Sequence, residues 1–474
     1  MTKKYWVILF FLLGAGALFC AIELRMKAAS FREDILCKDC NVVLITMTNL
    51  RFDHVSGNGY FRDTTPNIDA LMKKGVVFEN AFSHSSWTLP EAITMYTGLY
   101  PFEHTIMNRH LNLMLDHKTM TIVDALKSQG YVTALFSGGY DYDEQYGLTN
   151  RFDIHEKCTK NNEQDPGILD YGELSCSIPK AMEWLRQNDS KKFFMHVQGF
   201  DAHCPFNQKE HFFDVDYSGK IDFSGCIWTF GKEKPVYKNG KEYYSVLGSN
   251  GNASDKLLLD QRDIEHLKSI YDESIFRADE YIGQFLAEID RLGLTNKTII
   301  IFTSEHGDMF GKYGRFMRGG PLVGTFYDDV IHIPLVFRIP SIDHEEVNTL
   351  VSQIDLFPTI MSLLGIEIST RISGNSLVPN ILGKTKGSEY IYAGSTFTPE
   401  DGNMFMSHPT KTLLIRNVEW KLIKTEMLED GKIEYELFNL VNDPAELVDV
   451  KTTEQEAFEL LRGKLDHWEK SFNF

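Results

Sequence analysis

The stretch that decides the fold is Thr298–Thr303 (TIIIFT), which runs directly into Ser304–Asp308 (SEHGD). A short run of large apolar residues between two threonines is typical of a strand that is buried on both faces of a sheet. Asn41–Met47 (NVVLITM) repeats the pattern and is followed by the more polar segment Thr48–His54 (TNLRFDH). Both runs therefore predict central strands, each with polar residues at its carboxyl end.

Helical segments separate such strands along the chain. Apolar residues at helical spacing, ended in two cases by a glycine, predict the helices. An alternation of strands and helices favours an α/β fold with a mostly parallel, doubly wound sheet, in which sites lie at the carboxyl ends of the strands. The predicted helices span residues 66–74, 121–129 and 263–292, and further strands span 76–78, 131–136 and 192–197.

The character of the sequence changes after Gly374. From there on, short apolar runs predict antiparallel strands, and the end of the chain has a helical pattern. These strands span residues 413–415, 420–423 and 435–438, and the helix spans 454–472.

Four parts of the chain follow from these patterns. We expect a membrane anchor over residues 1–24, a linker over 25–40, a large sheet domain over 41–373 and a smaller C-terminal α+β subdomain over 374–474. Residues 205–260 are rich in Gly, Asn, Tyr and Lys, which predicts an insertion or lid rather than core.

The anchor is predicted from the first residues. Lys3 and Lys4 precede an apolar run, Tyr5–Leu24, that is about long enough to span a bilayer. Flanking lysines predict a cytoplasmic N-terminus, so we expect a single-pass membrane protein whose bulk is periplasmic or extracellular. A cleaved signal peptide is the alternative, but no small-residue cleavage site follows the run.

Cysteine usage agrees with export. Of seven cysteines one, Cys20, lies in the apolar run, and an even number remains, which permits disulfides in an exported chain. The pair Cys37 and Cys40 predicts a local disulfide or free thiols, because no second pair stands at zinc spacing. The remaining cysteines are Cys158, Cys176, Cys204 and Cys226.

Net charge limits the partners. Lys and Arg number 48 against 66 Asp and Glu, for a formal net charge of −18. A chain this acidic repels the phosphate backbone, so we expect no nucleic-acid partner. Any attraction for a sulfate or phosphate group must therefore come from residues at the binding site and not from the net charge of the chain.

Several segments, taken in order, resemble the sulfatase family of the alkaline phosphatase superfamily. The resemblance implies an alkaline-phosphatase-like sheet flanked by helices, with a smaller C-terminal subdomain, and an activity on sulfate or phosphate esters. Ser86–Pro90 (SWTLP) is similar to the branch that has a Trp-Thr-Leu-Pro motif. The other matching segments are Asn41–Thr46, Thr65–Leu71, Thr97–Pro101, Thr303–Gly307, Ile333–Leu335, Asp355–Thr359 and Asn442–Leu447.

The resemblance also implies a metal site, at positions that are altered here. Family members bind a divalent cation through carboxylates, and Ca²⁺ takes roughly 6–8 oxygen ligands. Thr48 and Asn49 stand where the family has the first metal ligands, Glu305 replaces an aspartate, and His306 matches the fourth position. One carboxylate is lost and one is lengthened. The sequence is therefore compatible with a site that still binds Ca²⁺ or Mg²⁺ and with a site that has lost its metal.

The position of the family's nucleophile is Thr88. Family members oxidise a Cys or Ser there to formylglycine, whereas the extra methyl of threonine would leave a ketone, so we expect no formylglycine. The family's basic residue four positions on is Ala92. Thr88 is therefore either a direct nucleophile or the N-cap of a capping box with Glu91, and both roles are compatible with an anion at a helix N-terminus.

Residues for contacting the anion are partly kept. His203 stands at the family's substrate-oxygen histidine, and Arg318 stands where lysine is usual, with a guanidinium that can bind an oxyanion in a bidentate way. Arg51 matches a commonly basic position near the metal. These three residues complete the predicted catalytic set with Thr88.

Three functions remain open from the sequence. The first is a hydrolase of sulfate or phosphate esters, acting on a small molecule or glycan with a divergent site. The second is an inactive relative that binds an anionic glycan or a partner, and the third is a phosphoryl-type transferase that uses Thr88 at the membrane surface.

The predicted topology can be tested on sealed cells. Because the lysines hold the N-terminus in the cytoplasm, protease added to intact spheroplasts should digest the part of the chain beyond Leu24. The measurement is an immunoblot against the C-terminal subdomain, with detergent-lysed spheroplasts as the control. Complete protection before lysis would contradict the topology.

Overall fold

The computed structural model describes residues 36–107, 113–139, 141–158, 160–161, 169–170, 172–204, 206, 212–219, 221, 236–238, 240–247, 256–318, 326–340, 342–397 and 409–472. The strands are numbered in chain order. They are β1 (Asn41–Met47), β2 (Val76–Phe78), β3 (Ala81–Phe82), β4 (Val132–Ser137), β5 (Ile154–Lys157), β6 (Lys160–Asn161), β7 (Leu169–Asp170), β8 (Phe193–Gly199), β9 (Val236–Lys238), β10 (Lys241–Leu247), β11 (Lys256–Leu259), β12 (Thr298–Thr303), β13 (Met309–Phe310), β14 (Phe316–Met317), β15 (Leu335–Arg338), β16 (Glu345–Val347), β17 (Val351–Ser352), β18 (Ile391–Phe397), β19 (Thr410–Arg416), β20 (Trp420–Met427) and β21 (Ile433–Asn439).

The α-helices pack around these strands, and short 3-10 turns join several of them. The helices are α1 (Pro66–Met72), α2 (Thr88–Thr97), α3 (Pro101–His104), α4 (Ile122–Ser128), α5 (Leu174–Asn188), α6 (Gln261–Arg291), α7 (Asp328–Ile331), α8 (Leu356–Leu364), α9 (Val378–Ile381) and α10 (Gln455–Glu469). The 3-10 turns are Phe52–His54, Ser56–Asn58, Glu144–Tyr146, Thr149–Arg151, Thr295–Lys297, Lys312–Gly314 and Gln353–Asp355.

An eight-stranded sheet carries the large domain. Its strand order is β16-β2-β15-β12-β1-β8-β4-β5. The strands from β12 to β5 run parallel, whereas β15 is antiparallel to both of its neighbours. The predicted α/β class with a mostly parallel sheet flanked by helices is therefore confirmed.

The central strands are buried on both faces, as their apolar runs predict. On β1, Val42 and Leu44 pack into one hydrophobic cluster with residues of α2 and α8. Val43 and Ile45 alternate with them and pack into a second cluster with residues of α1, α5 and α6. Alternate side chains of a strand point to opposite faces, so an uninterrupted apolar run is required here.

The predicted elements are found with small shifts of their ends. Strand β12 has the predicted bounds, and the helices predicted over 66–74 and 263–292 are found as α1 and α6. The C-terminal strands form an antiparallel sheet in the order β18-β19-β20-β21, with α10 packed on it. Strand β18 was not predicted from the sequence.

The expectation that residues 205–260 lie outside the core is only partly right. Among the residues of this segment that the structure describes, β9, β10 and β11 form an antiparallel sheet. Val246 and Leu259 are buried in the cluster that also contains α6. This segment therefore contributes apolar residues to the core through two of its strands.

The N-terminal anchor predicted over residues 1–24 lies outside the described residues. Within the ranges that are described, no helix combines the length and apolarity needed to cross a bilayer.

Two disulfide bonds lie within the described residues. Cys37 is bonded to Cys40, and Cys158 is bonded to Cys176. Of the two alternatives predicted for Cys37 and Cys40, the structure therefore has the local disulfide and not free thiols.

A buried lysine joins the C-terminal subdomain to the large domain. Lys421 on β20 is completely buried, and its Nζ contacts Glu446 Oε1 at 2.5 Å and also the carboxylate of Asp328 on α7. Arg416 on β19 adds an ion pair in which its Nη1 contacts both carboxylate oxygens of Asp328, at 2.8 and 2.9 Å. A buried charge is tolerated only when it is paired in this way.

Removing this cation should therefore destabilise the protein. We expect Lys421→Met to lower the free energy of unfolding by about 3–5 kcal/mol, because it leaves the buried carboxylate of Glu446 and the half-buried one of Asp328 short of a partner. Lys432 pairs with Glu434 on the exposed face of the same sheet and is the matched control. Urea unfolding should show an unchanged midpoint for Lys432→Met, and equal shifts for the two variants would contradict this role of Lys421.

Candidate active site

The carboxyl ends of three neighbouring strands meet at one edge of the sheet. They do so because β1 pairs in parallel with β12 on one side and with β8 on the other. The predicted site residues that follow these strands are Thr48 and Asn49 after β1, His203 after β8, and Glu305 and His306 after β12.

Thr88 faces His306 at this edge. Thr88 is the first residue of α2, and its Oγ1 lies 3.2 Å from His306 Nε2. His306 Nδ1 donates a hydrogen bond to the carbonyl oxygen of Gly307 at 2.8 Å. Burial holds the pKa of His306 well below its usual value, and Arg318 and His203 add to this effect. The neutral ring therefore keeps its proton on Nδ1 and accepts from the Thr88 hydroxyl at Nε2.

The capping box expected at Thr88 and Glu91 is wrong. Helix α2 begins at Thr88 itself, with Trp87 as the preceding residue and no side-chain cap. Glu91 instead accepts hydrogen bonds from the backbone N–H groups of His84 and Ser85, both at 2.8 Å. The carboxylate holds the loop before the helix, and the Thr88 hydroxyl is left to contact His306.

Glu305 is surrounded by hydroxyl groups. Its Oε1 accepts from Thr46 Oγ1 at 3.1 Å and from the Tyr142 hydroxyl at 2.9 Å, and its Oε2 accepts from Thr48 Oγ1 at 3.0 Å. Burial raises the pKa of Glu305, and the hydrogen bonds that it accepts oppose this effect. The carboxylate is thus satisfied by neutral donors of the protein.

A chain of hydrogen bonds leads to this carboxylate. The Tyr96 hydroxyl lies 2.6 Å from His196 Nδ1, and His196 Nε2 lies 3.0 Å from Thr46 Oγ1. Because the Thr46 hydroxyl donates its proton to Glu305, its oxygen accepts a hydrogen bond from His196 Nε2. His196 Nδ1 then carries no proton and accepts from the Tyr96 hydroxyl. On the other side, Gln198 donates to Thr48 at 2.8 Å.

Sequence reasoning missed the residues of this network. The signal available was the presence of polar residues inside strands that are otherwise apolar: Thr46 in NVVLITM, and His196 and Gln198 in FFMHVQG. A polar side chain in a strand buried on both faces needs a partner.

Asn49 links the two strand ends. Its backbone is left-handed, with φ 71°, and its Nδ2 donates to Asp308 Oδ2 at 3.0 Å. Burial raises the pKa of Asp308 to about 6, although Arg318 opposes this effect. Asn49 Oδ1 is buried and makes no hydrogen bond within the described part of the chain.

The donor set does not suit a hard divalent cation. The four predicted metal positions do come together, but the described residues contain no group of three or more His, Cys, Asp or Glu side chains arranged to hold a metal. Both Glu305 oxygens, Thr48 Oγ1 and His306 Nε2 are engaged in hydrogen bonds within the described part of the chain, which leaves Asn49 Oδ1. Ca²⁺ requires roughly 6–8 oxygen ligands, and one neutral amide oxygen falls well short of that.

The predicted anion contacts occupy two places. Arg318 and His203 are buried and lie close enough to His306 to lower its pKa. Arg51 forms ion pairs with Asp53 and Asp329, at 2.6 and 2.9 Å, and donates to Asp308 O at 3.1 Å. Arg51 therefore lies beside the turn that follows β12, and a contact between it and an ester stays a prediction.

Family models match most of the chain. The model described as Sulfatase matches residues 40–366, and the model described as N-sulphoglucosamine sulphohydrolase, C-terminal, matches residues 324–470. The chain therefore belongs to the sulfatase family. This confirms the resemblance to that family.

Relatives and solved structures agree with this assignment. Arylsulfatase K of Xenopus laevis is 25% identical over 423 residues, covering 81% of this chain and 74% of the relative. An arylsulfatase of Clostridium perfringens is 22% identical and covers 88% and 91%. The phosphonate monoester hydrolase of Agrobacterium radiobacter has a TM-score of 0.71 at 22% identity, covering 91% and 95%. A 2-O GAG sulfatase has a TM-score of 0.68 at 18% identity, covering 91% and 92%.

The poor fit of the donor set to a cation can be tested by restoring one charge. We expect millimolar Ca²⁺ or Mg²⁺ to leave the melting temperature of the parent unchanged. In the presence of chelator, the Thr48→Asp variant should melt at a lower temperature than the parent, because a second carboxylate then faces Glu305. Calcium should restore the melting temperature of this variant by binding only its native state.

Thr48→Asn is the matched control for this experiment, since it removes the same hydroxyl without adding charge. Its melting temperature should not respond to calcium. A calcium-dependent rise in the parent, reversed by chelator, would show that the four residues do hold a cation.

Proposed function

We propose that this protein hydrolyses sulfate or phosphate esters, with Thr88 as the nucleophile and His306 as the group that accepts its proton. The observation that carries the proposal is the 3.2 Å contact between Thr88 Oγ1 and His306 Nε2. A hydroxyl becomes a useful nucleophile when an adjacent base is held in the correct tautomer by a third group. Gly307 O supplies that third group by accepting from Nδ1.

The reaction has two steps. In the first, Thr88 Oγ1 attacks sulfur or phosphorus, its proton moves to His306 Nε2, and the bond to the ester oxygen breaks, so that this oxygen leaves as an alcohol with a proton from solvent. In the second, water attacks the threonyl ester, Thr88 Oγ1 leaves and takes back the proton held on His306 Nε2, and the inorganic anion is released while the protons of the water pass to solvent. An alcohol in place of water would make the protein a transferase through the same intermediate.

Positive charge at the site supports binding of an anion. The N-terminus of α2 lies at Thr88, and the backbone N–H groups and dipole at a helix N-terminus favour negative charge. Arg318 and His203 act on His306 from nearby. A guanidinium and an imidazole in these positions can contact the oxygens of the ester group.

The choice of ester rests on the relatives. The structures of similar fold include a 2-O GAG sulfatase and a phosphonate monoester hydrolase. We therefore propose a sulfated glycan as the substrate class and a phosphate ester as the competing one. The disulfides Cys37–Cys40 and Cys158–Cys176 support an oxidising compartment, which agrees with the proposed anchor over residues 1–24 and an extracytoplasmic domain.

The buried position of Thr88 limits the access of an ester to its hydroxyl, which supports a second candidate function without turnover. Thr88 is 1% exposed, and Glu305 and His306 are completely buried. A protein that binds an anionic glycan without cleaving it would also keep the fold and lose the metal-binding carboxylates. Turnover by the parent separates the two candidates.

A matched pair of threonines tests the proposed nucleophile. Thr94 lies on the same helix, is equally buried, and contacts His104 Nε2 at 3.1 Å. Thr88→Val and Thr94→Val should each cost about 1 kcal/mol of stability, because each removes one buried hydrogen bond. Only Thr88→Val should reduce turnover of an aryl sulfate or aryl phosphate, by more than about a thousandfold.

Thr88→Ser should retain part of the activity, since it keeps the hydroxyl. The measurements are rates with both esters and melting temperatures for the parent and the three variants. Equal rates for Thr88→Val and Thr94→Val would exclude Thr88 as the nucleophile. A parent that cleaves neither ester would favour anion binding without turnover.

A further inference from the structure

A groove lies between helix α6 and the C-terminal subdomain, away from Thr88. It encloses about 810 Å³ and is lined, among others, by Lys268 and Ile264 of α6 and by Val418 and Leu447 of the subdomain. A neighbouring cavity of about 620 Å³ extends from it toward Phe61. Lys268 lines both cavities and so stands at their junction.

Lys268 is a cation without a direct partner. Its side chain is half-buried, and within the described part of the chain it forms neither a hydrogen bond nor an ion pair. Burial lowers the pKa of Lys268, and the positive charge of Arg51 lowers it further. The nearby carboxylates of Asp53 and Asp329 oppose this effect, and both are already paired with Arg51.

The other cations of the groove are paired. Lys312 contacts Asp329 at 2.6 Å and Glu446 at 3.0 Å, and Arg416 pairs with Asp328. The chain has 66 acidic residues against 48 basic ones, so a shortage of carboxylates does not explain why Lys268 lacks one. An unpaired, half-buried cation in a groove is instead a candidate for contact with an external anion.

Apolar side chains are exposed along both cavities. Val418 is 65% exposed, Leu447 is 60% exposed, and Phe61 is 79% exposed at the far end of the second cavity. Exposed apolar side chains beside a concave surface are typical of a binding groove. The C–H faces of sugar rings are apolar enough to pack against such side chains, while their anionic substituents require a cation.

The groove is close to the candidate active site but separate from it. Arg51 lines the groove and donates to Asp308 O, two residues beyond His306. The backbone of Gly307, next to His306, packs tightly against two residues of the groove: a Cβ atom there would lie 2.2 Å from Asp329 O and 2.9 Å from Arg51 Cγ. The turn after β12 therefore packs against Arg51 and Asp329, which line the groove, whereas Thr88 is not among the lining residues.

We propose that this groove binds a further part of an anionic oligosaccharide, with Lys268 contacting one of its sulfate, phosphate or carboxylate substituents. The choice of a glycan rests on the proposed function, whereas the anion contact at Lys268 rests on the groove alone. The groove would hold sugar units other than the one that carries the cleaved ester. It would therefore favour a polymeric anion over a small ester.

Binding can be measured without turnover in the Thr88→Val background. The probe is low-molecular-weight dextran sulfate, with neutral dextran of the same length and inorganic sulfate for comparison, titrated by calorimetry. We expect Lys268→Gln to weaken dextran sulfate binding by about tenfold or more, since it removes a charged hydrogen-bond donor. Phe61→Ala, at an exposed position, should also weaken it.

Lys297→Gln is the matched control. Lys297 is an exposed lysine outside the groove, and its substitution changes the net charge by the same amount. Equal effects of Lys268→Gln and Lys297→Gln, equal binding of neutral dextran, or no binding of dextran sulfate would each overturn the proposal. Failure of the proposed function would appear separately, as a parent that cleaves no aryl ester while this binding persists.

Discussion

A carboxylate buried at the end of the central strand is the constraint on which the candidate site depends. Glu305 is completely buried, and a buried charge without partners is very costly. Three hydroxyl groups meet its two oxygens: one from Thr46 on β1, one from Thr48 just after β1, and one from Tyr142 after β4. The end of β12 therefore requires the neighbouring strands in register, and the position of His306 relative to Thr88 follows from it.

Positions 48 and 305 act as one unit. The family resemblance implies an aspartate at each, held together by a cation, whereas this chain has a threonine and a glutamate. The longer side chain of Glu305 reaches Thr48 Oγ1 at 3.0 Å, so a neutral hydroxyl now contacts the carboxylate where a second carboxylate would need a metal. The two changes compensate each other, and either one alone would leave a buried group poorly matched.

The C-terminal subdomain matters to the site through its attachment. Lys421 and Arg416 converge on Asp328, and Lys421 also reaches Glu446. The two pairs to Asp328 hold the subdomain against the large domain, and Asp328 and Arg416 also line the groove beside Lys268.

The sequence by itself determined the sheet and the strand ends that carry the site, because a strand buried on both faces must be apolar throughout, as Thr298–Thr303 is. Family membership followed from the order of its short motifs. Only the tertiary structure decided the pairing of Thr88 with His306, 218 positions away, and the hydroxyl partners of Glu305. It also decided that Glu91 turns back to His84, since Thr-x-x-Glu permits either a cap or a loop contact and the choice depends on which groups the fold brings near.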